Sequence, residues 1–150
     1  MAVKPIPDGY HTVTPYLIVE GAQKLIDFLK QGFGAKETFS MPGPDGKIGH
    51  AEVKIGNSMV MLADANPRWK ATNTMLYLYV EDVDAVYKKA VAAGGKSVME
   101  PTNQFYGDRS AGVEDACGNH WGIATHVEDV PMDELERRAA TFQKQQQAGG

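Results

Sequence analysis

His50, Glu52 and Lys54 follow one another at a spacing of two, and Met59 and Met61 repeat that spacing beyond a Gly56-Asn57 step. A spacing of two is the strand period, so these side chains share one face of a hairpin. With Gly56 and Asn57 as a two-residue loop, Ile55 faces Ser58, which sets Lys54 opposite Met59, Glu52 opposite Met61 and His50 opposite Ala63. The other face holds Ala51, Val53, Ile55, Val60 and Leu62. It is wholly apolar and must pack under a helix. The mixed face suits a wall that meets a ligand, and it equally suits a solvated sheet face; the sequence leaves both open. As a ligand wall, Glu52 would accept a hydrogen bond from an amide or amine, and His50 would donate or accept near neutral pH. The same two residues are the candidate acid and base for proton abstraction beside a carbonyl.

Tyr16, Met75 and Tyr77 alternate with core-type residues in two further strand-like runs, where the rings would stack on a planar ligand and the thioethers would give an adaptable lining; filling the core is the alternative. His120 stands at the start of the last apolar run, near a turn. Arg109 is a possible carboxylate or phosphate clamp, with pairing to Asp108 or Glu114 as the plainer role. The single cysteine, Cys117, excludes an internal disulfide and a Cys-rich zinc site.

The chain has 150 residues, one ordinary domain's length, with 43% hydrophobic and 23% charged residues, as in a folded globular protein. Its formal charge of −4 does not suit a phosphate backbone as partner, so nucleic acid is not expected. No apolar run approaches a membrane span and the N-terminus lacks a secretory stretch, so the expected setting is cytoplasmic.

An internal repeat organises the elements that must position these groups. At an offset of 61, Tyr16 meets Tyr77, Leu17 meets Leu78, Val19 meets Val80, Glu20 meets Glu81 and Gly34 meets Gly95. Each copy opens with a short apolar strand and a helix, carried by Ala22, Leu25, Ile26 and Leu29 in the first and by Val83, Val86, Ala90 and Val91 in the second. Glycines follow each helix, Gly32 and Gly34 in one copy and Gly94 and Gly95 in the other, and three strand-like segments complete each unit. The order is βαβββ, twice: module one spans 10–65 and module two 74–128, within a domain of 1–130. Residues 131–150 form an accessory helix, with Met132, Leu135, Ala139 and Phe142 as its apolar stripe, and a tail that frays.

This paired unit, with phrases such as TPYLIVEGAQKLIDFLKQGFGA and YGDRSAGVEDACGNHWGIATHVEDV, resembles the vicinal oxygen chelate superfamily of glyoxalases, extradiol dioxygenases and bleomycin-resistance proteins, and most closely its PhnB-type branch. The resemblance implies an α+β fold in which two tandem modules form a curved, barrel-like mixed sheet with helices outside, followed by the C-terminal helix. It also implies a homodimer. Relatives hold a divalent metal on the first and last strands of both modules, and those positions here are Thr14, Met61, Met75 and Gly122. None offers the hard oxygen or imidazole donor that such a metal needs, so no cofactor is expected. The expected function is small-molecule binding, with Tyr16, His50, Glu52, Met59, Met61, Met75, Tyr77 and His120 as ligand contacts. The alternative is a glyoxalase-like lyase or isomerase that uses a displaced divalent metal, gathered for instance by His50, Glu52 and His120, or a Glu52/His50 acid–base pair.

Overall fold

The computed structural model describes residues 2–149. Module one runs β1 (Tyr16–Val19), α1 (Ala22–Phe33), β2 (Lys36–Pro42), β3 (Ile48–Ile55) and β4 (Ser58–Asp64). Module two runs β5 (Met75–Tyr79), α2 (Val83–Ala92), β6 (Lys96–Asn103), β7 (Asp108–Glu114) and β8 (His120–His126), and α3 (Met132–Gly149) follows. The fold is α+β. Each module builds its own four-stranded sheet, in the orders β1-β4-β3-β2 and β5-β8-β7-β6, and neither closes into a barrel. In both sheets the opening strand pairs in parallel with the closing one, and the other pairings are antiparallel.

The repeat extends to the register. Tyr16 lies beside Met61 and Tyr77 beside Gly122, so both partners keep the offset of 61. The hairpins differ. Ile55 faces Ser58 across the two-residue turn, whereas Glu114 faces His120 across Asp115–Asn119, so β7 sits one residue earlier relative to the repeat and Gly112, not Val113, occupies the position equivalent to Glu52. Asp115 holds this longer turn by accepting from the amides of Cys117 and Asn119 and from the Trp121 indole N–H at 2.7 Å.

Alternation puts Leu17, Val53, Leu62, Val113, Trp121 and Ile123 on the sheet faces turned to the helices, and with Leu25, Ile26 and Leu29 of α1 they form one core. Gly32, expected just past α1, lies inside it: a Cβ there would stand 3.2 Å from the Ala90 Cα, so the bare glycine allows the two helices to meet. Gly34 is the left-handed cap. Val91, expected on the buried stripe of α2, is 39% exposed, because Val83 and Ala90 carry the buried contact.

Neither helix start relies on local capping alone. The Asp64 carboxylate at the end of β4 accepts from the amides of Gly21 and Ala22 at 3.0 and 2.9 Å, and from Ile48 at 2.7 Å. Its counterpart 61 residues later, Thr125, accepts from the Val83 amide at 2.9 Å and donates to the Val80 carbonyl. The closing strand of each module thus satisfies donors that the helix start leaves free.

Helix α3 continues to Gly149, through the Gln-, Lys- and Ala-rich stretch expected to fray; these residues favour helix even without burial. Gly150 lies outside the described residues. None of the α3 residues is fully buried. Arg138 ties the helix down through Glu128 at 2.7 Å and the Phe105 carbonyl at 3.2 Å while Glu134, one turn earlier in the same helix, steadies its guanidinium at 3.0 Å, and the Phe142 ring lies 5.0 Å from the Phe105 ring. Among the described residues no helix is long and apolar enough to cross a membrane.

Candidate functional site

The face of β3 and β4 turned away from the helices carries the mixed residues in the register read from the sequence: Glu52 beside Met61 and Lys54 beside Met59. β1 adds Tyr16 next to Met61. The Tyr16 hydroxyl meets Nδ1 of His50 at 2.8 Å, and Nε2 of His50 meets a Glu52 carboxylate oxygen at 3.2 Å. A neutral imidazole protonated on Nε2 satisfies both contacts: the hydroxyl donates to Nδ1 and the ring N–H donates to Glu52. The chain is partly shielded, with the His50 and Glu52 side chains 22% and 19% exposed. Phe39 and Met41 of β2 flank His50, the Phe39 ring lying 6.1 Å away. Beside Glu52 lies a cavity of about 490 Å³, shared with Thr14 and Met61 on one side and with the N-terminal residues Ile6, Tyr10 and His11 on the other.

The corresponding face of module two is built differently. Gly122 leaves space that the Tyr77 ring fills: a Cβ at Gly122 would stand 2.6 Å from Tyr77 Cδ2. Gly112 does the same for His120, whose ring would lie 3.1 Å from a Cβ there. Met75 is exposed beside His120. Tyr77 and Tyr79 both donate to one oxygen of the buried Asp108, at 3.3 and 2.9 Å, and His126 meets its other oxygen at 2.9 Å while reaching Asp129 at 2.7 Å. Burial pushes the Asp108 carboxyl up, and the hydrogen bonds from His126, Tyr79 and Tyr77 outweigh it, holding the group below the usual carboxylate range. Bonding to Asp108, then to Asp129, pushes His126 up, as a ring whose two nitrogens both face carboxylates requires. Burial, then Tyr106 and Asp108, drives the Tyr77 hydroxyl well above its ordinary value. Asp108 thereby holds the two tyrosines as a fixed, neutral pair.

The structure therefore brings Tyr16, His50, Glu52 and Met61 together on one sheet and sets Met75, Tyr77 and His120 on the other. Met59 is 8% exposed and lines a second cavity, of about 340 Å³, with Thr14 from its own module and Tyr77 from the other. His50, Glu52 and His120 do not form a ligand set: among the described residues there is no group of three or more His, Cys, Asp or Glu able to hold a metal ion. The four positions that the resemblance would assign to a metal divide into Thr14 and Met61 beside the first cavity and Met75 and Gly122 in the second sheet, the last covered by the Tyr77 ring. A hydroxyl, two thioethers and a glycine do not fit a hard divalent ion. Arg109 pairs with Asp84 of α2 through two bonds of 2.8 and 2.9 Å, not with Asp108 or Glu114, and so clamps α2 to β7.

The sequence reading missed Asp108, His126 and the N-terminal residues over Glu52. An acidic residue opening a strand whose middle is the small run Ser110, Ala111 and Gly112 was the available signal for Asp108. Nothing local marked the N-terminal segment.

Comparison with known proteins places these residues in context. The family described as the Glyoxalase/Bleomycin resistance protein/Dioxygenase superfamily matches residues 10–123. An uncharacterized protein of Mycobacterium bovis is 36% identical over 135 residues, 83% of this chain and 89% of that protein. One from Mycobacterium tuberculosis H37Rv is also 36% identical over 135 residues, covering 83% of this chain and 79% of that protein. Among solved structures, TioX from Micromonospora sp. ML1 has a TM-score of 0.68 at 23% identity, covering 78% of this chain and 99% of that one. The putative 3-demethylubiquinone-9 3-methyltransferase, PhnB protein, from Bacillus cereus has a TM-score of 0.62 at 19% identity, covering 77% of this chain and 99% of that one. At these identities both structures share the fold.

Proposed function

This chain belongs to the Glyoxalase/Bleomycin resistance protein/Dioxygenase superfamily, and from that premise we propose that it is a small-molecule binding protein that works without a divalent metal ion. The observation that carries the reading is the Tyr16–His50–Glu52 chain beside a cavity of about 490 Å³. One Glu52 oxygen takes the bond from His50, and the other has no partner among the described residues. It is the natural acceptor for an amine or amide on a ligand whose apolar body lies on Met61 and Ile6. The acidic balance of the chain adds a weak preference for a cation. The partner is thus a small molecule, with neither nucleic acid nor membrane involved. By family resemblance the working form is a homodimer, and the setting that goes with this reading is cytoplasmic.

Thermal stabilisation by three probes of one shape tests this. Benzylamine and N-benzylacetamide each offer an N–H donor, whereas benzoate offers only an anion. A ligand selective for the folded state raises the melting temperature by mass action. The amine and amide are expected to raise it, benzoate is not, and Glu52→Gln is expected to remove the amine effect. Equal effects of all three, or an amine response that survives Glu52→Gln, would remove Glu52 from the site.

The 3.2 Å contact between His50 and Glu52 also favours a second reading, a lyase or isomerase in which the pair moves a proton. Turnover of an α-hydroxycarbonyl substrate that is lost in both His50→Gln and Glu52→Gln would establish it.

A further inference from the structure

The N-terminal residues form one wall of the Glu52 cavity: Pro5, Ile6, Pro7, Tyr10, His11 and Thr12 face Thr14, Glu52 and Met61 across it. Their attachment is slight. Among the described residues the hydrogen bonds made by residues 5–12 reach no strand or helix: the Tyr10 amide donates to the Pro7 carbonyl at 3.1 Å, and the neighbouring Lys4 donates to Asp8 at 2.8 Å. Two prolines stiffen its first half, Gly9 at φ 84° supplies a bend, and Val13, 82% exposed, joins it loosely to β1. Tyr10 is the best-shielded residue of the segment, yet its hydroxyl is buried with no hydrogen-bond partner among the described residues. A buried donor without a partner opposes the state that buries it, because in water it would be satisfied.

We propose that residues 5–12 form a gate over the Glu52 cavity, that the unpartnered Tyr10 hydroxyl keeps its closed state marginal, and that small molecules reach Glu52 and Met61 when it lifts. The gate controls access to the site proposed above and rests on that reading, but its test needs no ligand. The hydroxyl fixes an unusual sign. If Tyr10 were an ordinary anchor, Tyr10→Phe would loosen the segment. Here the substitution keeps the ring's packing and removes the penalty, so the gate stays shut more of the time.

Met61 reports on opening, because it lies in the wall that the segment covers. Met75 and Met99, 66% and 38% exposed in module two, are references within the same chain. Oxidation of the three by dilute hydrogen peroxide, followed by mass spectrometry of peptides, gives their relative rates. In Tyr10→Phe the Met61 rate is expected to fall against the references by up to roughly fivefold, from the usual penalty of an unpaired buried hydroxyl, down to the floor set by its partial exposure under the closed segment. In Ile6→Ser, which weakens the segment's apolar grip, the Met61 rate is expected to rise. An unchanged or faster Met61 rate in Tyr10→Phe would overturn the gate and leave the Glu52 site standing, since that site is judged by probe binding to Glu52→Gln. Hydrogen exchange in the unaltered protein is independent of variant folding. Amides of His11 and Thr12 that exchange as slowly as that of Leu17 would also overturn the gate.

Discussion

Gly122→Ala tests whether the Tyr77 ring packs directly over Gly122. The added Cβ would meet Tyr77 Cδ2 at 2.6 Å and Cε2 at 3.2 Å, distances that no small adjustment of a rigid ring relieves. Tyr77 must swing away, which gives up its bond to Asp108 and its edge contact with Tyr79, whose ring centroid lies 5.3 Å off. Overpacking of this kind costs about 1–3 kcal/mol. The loss of glycine's freedom in the unfolded chain returns about 0.4–1 kcal/mol. The net destabilisation is about 1–2 kcal/mol, or roughly 2–8 °C in melting temperature for a chain of this size. Urea unfolding followed by the fluorescence of the buried Trp121 measures it. The decisive comparison is the double variant. In a Tyr77→Ala background the obstruction is gone, so Gly122→Ala should be neutral or stabilise by up to about 1 kcal/mol. Equal destabilisation in both backgrounds would refute the placement of the ring.

Three further outcomes are expected. His126 titrates above its ordinary value when folded, so its contribution is complete below about pH 6.5 and fades as pH rises through the raised value; Asp108 and Asp64, both depressed, contribute above about pH 3.9 and fade as pH falls through their lowered values. Stability should therefore plateau between about pH 4 and 6.5, with the alkaline decline flattened in His126→Gln, and a curve that still climbs above pH 7 would contradict this. Asp64→Asn keeps an oxygen for Gly21 and Ala22 but turns an N–H donor toward the Ile48 amide, for a loss of about 1.5–3 kcal/mol in urea unfolding; no change would mean that the carboxylate does not hold the α1 start. Arg138→Ala should speed hydrogen exchange across α3 while the Trp121 unfolding midpoint stays in place, and a joint shift would make α3 part of the core unit.

What could be read in advance follows how local each signal is. The offset of 61 and the Gly56-Asn57 turn are short-range patterns, and with them came the two modules and the pairing of Glu52 with Met61. The second hairpin closes through Asp115, whose bonds to Asn119 and Trp121 are side-chain events, so its register could not be counted from a turn signature. The Asp108 cluster joins β5, β7 and β8 through side chains 29 and 31 residues apart in sequence, and only the folded sheet makes them neighbours. Gly32 reads as a stop signal by composition, but contact with Ala90 across two helices makes it an interior residue. Helix α3 runs on to Gly149 although its end is poor in apolar residues, because Gln, Lys and Ala propagate a helix.

The central claim is ligand capture at Glu52 without a metal. Calorimetric titration of benzylamine into purified protein, before and after exhaustive chelation and with the bound metals counted, tests it most directly. The account predicts far less than one metal ion per chain, the same affinity before and after chelation, and binding abolished in Glu52→Gln. One tightly held ion per chain, whose removal abolishes binding, would contradict it.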